Sequence, residues 1–181
     1  MRTVSNLFQM SVFIVLAQTF PAVAGHVMKD TIVGDYKIEL HVLPAEPFFT
    51  ADEAAARHAT EGMLIMGGAG PLPPDADPRP NHHLVVHVYD AKTGKALTNA
   101  KVAMEFRNLD DKGNVSGDPV TVPVVIMQAI GKGPKSTHYG NNVIMPAGTY
   151  FVAVSVNNRK AGFTVAVSDP STAPAEGMHM R

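Results

Sequence analysis

A period of two in the hydrophobic pattern constrains this chain most. In Tyr36-Lys37-Ile38-Glu39-Leu40-His41-Val42, apolar and polar residues alternate, which is the pattern of a strand with one buried face. His82 to Asp90 (HHLVVHVYD) is a second such run, and Lys101–Arg107, Val120–Gln128, Thr149–Val156 and Ala161–Val167 are further apolar segments of strand length. Turn signals separate them: Lys92-Thr93-Gly94-Lys95, Asp110-Asp111-Lys112-Gly113-Asn114, and Asn157-Asn158-Arg159-Lys160. Two Asn between apolar runs tolerate positive φ, so the last pair of segments reads as a terminal hairpin. Only Thr50–Glu61 looks helical, with Thr50 as a cap and Asp52 and Glu53 in its first turn. Gly67–Pro80 (GGAGPLPPDADPRP) is too rich in Gly and Pro for a regular element. Six or seven short strands with such turns predict an all-β chain, an antiparallel β-sandwich of immunoglobulin-like type with one short helix.

Residues 1–24 carry the marks of a secretory signal. Arg2 is followed by a mostly apolar run from Leu7 to Ala17 and by Pro21-Ala22-Val23-Ala24, an A-x-A cleavage site. That apolar run is too short to span a bilayer, which takes roughly 20 residues. The expected organisation is a signal peptide over 1–24, one sandwich domain over 25–168 and a polar, Pro-bearing tail over 169–181. Export to a periplasm follows from this expectation, and ATP-driven chemistry does not suit that address.

Composition narrows the chemistry. The 181 residues contain no Cys and balance 15 Lys and Arg against 16 Asp and Glu. Disulfides, thiolate nucleophiles and cysteine-ligated metals are therefore excluded. A near-neutral chain without a basic run also lacks the electrostatic footprint of nucleic-acid binding. Ile130–Ser136 resembles a phosphate loop only faintly, because the spacing is wrong and Pro134 removes a backbone donor. No nucleophile elbow, H-E-x-x-H or paired general acid and base is visible, so binding is expected rather than catalysis.

What remains is eight His and ten Met, a set of imidazole and thioether ligands suited to copper and poorly suited to Mg²⁺ or Ca²⁺. Strand alternation puts His83, Val85 and His87 on one face and His82 on the other. His83 and His87 would lie about 13 Å apart along a straight strand, so one of them, or His82, is expected to ligate. The loop through Gly131, Gly133 and Pro134 is able to fold His138 back beside Met127. Met63 and Met66 flank glycines, and Met178-His179-Met180 ends the chain. Cleavage after Ala24 would start the mature chain at Gly25-His26; cleavage after Gly25 would leave His26 first, able to chelate copper through its amine and ring.

The segment Ser136-Thr137-His138-Tyr139-Gly140-Asn141-Asn142-Val143, after the Met127 strand and before Pro146-Ala147-Gly148-Thr149-Tyr150, resembles the periplasmic metal-binding proteins that accompany bacterial iron permeases. His82–Val88 and the Thr-Gly-Lys turn before Ala100-Lys101-Val102 are similar, more broadly, to YtkA-like periplasmic domains. The resemblance implies an immunoglobulin-like sandwich, often a homodimer, with a copper site of Met127 and His138, and His82 or His83 as the ligand on the earlier strand. It also implies a role in iron or copper uptake, with an inner-membrane permease or other metal-handling protein as partner. Two departures stand out: Val85 replaces the carboxylate expected two residues after His83, and the Met127–His138 connection is long. The alternative expectation is a metal-free sandwich that binds another protein of a membrane complex.

Overall fold

Alternating segments can bury one face each only by pairing edge to edge and stacking face to face, and the computed structural model shows that arrangement. It describes residues 26–73, 76 and 78–168; the expected signal peptide and tail lie outside them. In chain order the strands are β1 (Val27–Val33), β2 (Tyr36–Pro44), β3 (Phe48–Phe49), β4 (Met63–Gly68), β5 (His82–Asp90), β6 (Val102–Leu109), β7 (Val115–Val122), β8 (Val125–Ala129), β9 (His138–Val143), β10 (Gly148–Val156) and β11 (Arg159–Val167). One sheet runs β1-β2-β5-β9-β8-β4-β3 and the other β11-β10-β6-β7. All pairings are antiparallel except the short β3–β4 contact. The chain is an all-β sandwich.

The main core lies between the sheets. Ile38, Leu40 and Val42 of β2, Leu84, Val86 and Val88 of β5, and Tyr139 and Val143 of β9 face Met104, Phe106, Val152, Val154, Phe163 and Val165 of the smaller sheet. A second, smaller cluster forms on the opposite face of the large sheet from Met63, Val85, Val125 and Met127, with Phe48, Ile65 and Ala129 against it. The helix α1 (Ala51–Ala56) follows β3, held by a capping box in which Thr50 and Glu53 satisfy each other's backbone N–H groups. It ends well short of Glu61.

Two local expectations are revised. Val120–Gln128 is not one strand: β7 ends at Val122, and the chain crosses to the other sheet through Pro123-Val124 before β8. Proline has no N–H to give a ladder, so it suits that crossing. Gly67–Pro80 is irregular as expected, except that Gly67 and Gly68 close β4. After the 3₁₀ turn Gly133-Pro134-Lys135-Ser136, His138 opens β9, an interior strand of the large sheet that the sequence pattern did not announce. The terminal hairpin forms as expected, with Asn157 and Asn158 at φ 46° and 68°.

Candidate metal centre

Register decides which side chains meet. Met127 stands directly opposite His138 across β8 and β9, so their side chains share a face. The turn that brings them together is pinned: Ser136 Oγ donates to the Gly133 carbonyl and accepts from the Ala129 N–H, while Thr137 Oγ donates to the Pro134 carbonyl. On the other side of β9, His83 pairs with Asn142 and Val85 with Gly140. The same register, one step further, puts His87 beside His138.

The two strand histidines, separated along β5, are therefore both neighbours of His138. Its ring centroid is 5.1 Å from that of His87 and 5.6 Å from that of His83. Gly140 makes the approach possible. A Cβ there would collide with the Leu84 carbonyl oxygen and lie 2.8 Å from Val85 Cα, and with no side chain between His138 and Asn142 on this face, rings can lean across the gap. The result is His83 Nε2 at 3.5 Å from His138 Nε2.

Second contacts define which nitrogens carry lone pairs. Asn142 Nδ2 donates to the Glu46 carbonyl and its Oδ1 accepts from the Glu46 N–H, so Oδ1 is held facing His83 Nδ1 at 2.9 Å. His83 must then donate from Nδ1. His138 Nδ1 likewise donates to the Ser136 carbonyl at 2.7 Å. Both Nε2 atoms are left as acceptors facing each other, which is no hydrogen bond and is a good place for a cation. An ion bonded to both at ~2.0–2.1 Å, the usual metal–imidazole length, would see them at about 115–120°, as in trigonal or tetrahedral coordination.

Electrostatics favours the neutral, ligand-competent form. Burial, reinforced by His138 and His87, pushes the His83 imidazole down to about 4 against the opposing Asn142 hydrogen bond. Burial also takes His87 to about 4, with His138 and His41 adding. His138 is lowered by burial too, although its bond to Ser136 resists. Leu43, Met63, Val85, Ala129 and Ser136 line a cavity of ≈ 180 Å³ with these three histidines. Phe48 packs edge-on against His83 at 5.6 Å between centroids.

The imidazoles continue outward. His41 of β2 lies 5.0 Å from His87, and His26 stacks on His41 at 5.5 Å. Glu39 lies opposite His87, with Oε1 taken by Lys37 at 2.7 Å and Oε2 4.0 Å from His41 Nε2. His41 Nε2 and His87 Nδ1 are buried without a hydrogen-bond partner, a cost of about 1–3 kcal/mol each that a bound cation would relieve.

Of the residues singled out in the sequence, His83 and His138 meet, and Met127 stands opposite His138 on the same face. His82 does not join them: it faces the opposite side, where its Nε2 meets the Ser168 carbonyl at 3.1 Å. His41, Glu39 and Met63 were not singled out as ligands, and only the alternation of Glu39 and His41 in β2 could have signalled the first two. Among the described residues no three His, Asp or Glu side chains are already gathered to hold an ion. An ion at the His83–His138 pair would therefore need its third ligand from a thioether or from a turn of the His87 ring. No family model, curated protein or solved structure matches this chain.

Proposed function

We propose that the protein is an exported, periplasmic metal-binding protein, with copper as its ion, acting in copper or iron uptake or homeostasis by holding and passing on the ion. The observation that carries the reading is the His83–His138 pair, two buried imidazoles whose Nε2 lone pairs converge at 3.5 Å beside the Met127 strand. Imidazole with thioether suits Cu(I) and tolerates Cu(II), whereas the hard ions want oxygen. His87 and Met127 flank the pair, and both can enter or leave coordination as the ion arrives or departs. The resemblance of residues 120–157 to the periplasmic proteins of iron permeases, with its immunoglobulin-like sandwich and homodimer, supports the same reading.

Titration with Cu(I) and with Cu(II), comparing wild type with Met127→Leu and His138→Ala, tests it. One equivalent bound by wild type is expected, with His138→Ala weakening Cu(I) binding by about 100-fold, in line with loss of a direct ligand and its oriented partner. Equal affinity in wild type and the double variant would leave the metal-free interaction module as the better reading.

A further inference from the structure

We infer that the protein carries a second, outer site for Cu(I) at the edge of the large sheet, made by the imidazoles of His26 and His41 and the thioether of Met28. It goes beyond the His83–His138 centre and uses none of its ligands. β1 is an edge strand of the large sheet, and its register sets Met28 directly opposite His41 of β2. Partners across a strand pair share a face, with Cβ atoms about 4.5–5.5 Å apart. Strand alternation puts His26, two residues before Met28, on that same face. There His26 Nε2 comes to 3.3 Å from His41 Nδ1, with ring centroids 5.5 Å apart. An ion bonded to both nitrogens at ~2.0–2.1 Å would see them at about 105–110°, close to the tetrahedral angle. Met28 is 61% exposed, so core filling, the usual task of a strand methionine, does not account for it. Both cuts expected from the sequence, after Ala24 or after Gly25, leave His26 and Met28 on the chain.

The far side of the His41 ring is arranged for this. When Nδ1 ligates, the imidazole proton sits on Nε2, and that nitrogen is buried with no hydrogen-bond partner. Glu39 Oε2 stands 4.0 Å from it, while Oε1 is held by Lys37 at 2.7 Å. A short movement of the carboxylate completes a carboxylate–histidine–metal arrangement, which fixes the ring and makes its other nitrogen a stronger donor. Burial first, then His26, holds the His41 pKa below its ordinary value against the pull of Glu39, so the ring is neutral at pH 7. The ion takes the place of the proton between the two rings, and that proton moves to Nδ1 of the exposed His26 ring. No redox step is involved. Two imidazoles and a thioether suit Cu(I), and the carboxylate that a hard ion wants is not among the three donors. Ordering an exposed methionine costs side-chain entropy, so this site is the weaker of the two. From His41 the imidazoles lead on through His87 to His138, so an ion taken up at the sheet edge meets nitrogen donors on the way to the inner pair.

Cu(I) titration of the exported chain, without oxygen and against a competing Cu(I) chelator, should show a second, weaker equivalent after the first. His26→Ala and Met28→Leu, both at exposed positions, should each weaken that second equivalent by about 10-fold or more and leave the first unchanged. Long-range ¹H–¹⁵N spectra of the histidine rings should show it moving His26 Nε2 and His41 Nδ1, with the proton kept on His41 Nε2. No second equivalent in wild type, an unchanged one in either variant, or metal on His41 Nε2 would overturn the inference. In His138→Ala the weaker equivalent should remain; its loss there would make the outer donors part of the inner site and equally sink the proposal. Loss of the tight equivalent alone in that variant reads the inner pair, and persistence of both counts against the inner reading while this one stands.

Discussion

At the residue scale, Asn142 does more than its polarity suggests. Clamped by both backbone groups of Glu46, it dictates the tautomer of His83. Asn142→Ala should lower copper affinity about 10- to 100-fold, the usual effect of removing a partner that orients a ligand, while circular dichroism stays native. Unchanged affinity would remove Asn142 from the site. The buried imidazoles also make stability depend on pH. Their folded pKa values of about 4 lie below the ordinary 6.5, so between those values the unfolded chain binds more protons. Stability is then full above pH 6.5 and falls as pH drops toward 4, by on the order of 2–3 kcal/mol per imidazole. The urea midpoint at pH 4.5 should lie well below that at pH 7, and His87→Gln should flatten the difference. Bound copper should leave in the same window, since protons compete for the same lone pairs.

At the element scale, β9 holds the centre together, and Gly140 is its weak point. Its φ of 156° and the collision awaiting a Cβ mean Gly140→Ala must push β9 away from β5. A loss of about 3 kcal/mol or more is expected in chemical denaturation, together with weaker copper binding as His138 leaves His83. Part of this was legible in sequence. Alternation in β5 separated His83 from His82, and the Gly-rich turn brought His138 back to Met127. The meeting of His83 with His138 was not legible, because distance along one strand says nothing about a histidine arriving from the strand beside it. β9 itself was also hidden: the two Gly and Pro134 punctuate the turn before it, and the polar run HYGNN carries no apolar alternation to announce an interior strand.

At the scale of the whole molecule, β9 serves two faces. Outward it presents His138 and Asn142; inward, Tyr139 is fully buried, its hydroxyl donating to the Leu97 carbonyl at 2.6 Å and accepting from the Ala100 N–H at 3.0 Å. Those residues lead into β6 of the other sheet, so this side chain ties the sheets together. Tyr139→Phe orphans a buried N–H and a carbonyl and should cost about 1–3 kcal/mol of stability. Copper affinity should stay within a few-fold of wild type, because the hydroxyl is on the far side of the sheet from the imidazoles. A large loss of affinity would show that the two faces are coupled through β9.

The sequence alone determined the all-β character, the faces of β2 and β5, the helix cap at Thr50, the hairpin at Asn157-Asn158 and the choice of imidazole and thioether as the available ligand chemistry. These follow from local periodicity and from the conformational preferences of single residues. Only the tertiary structure decided strand order and register, and with them the placing of His138 between His83 and His87 and the line of imidazoles out to His26. Strand neighbours are chosen by burial across both sheets at once, and that energy is not written in any one segment.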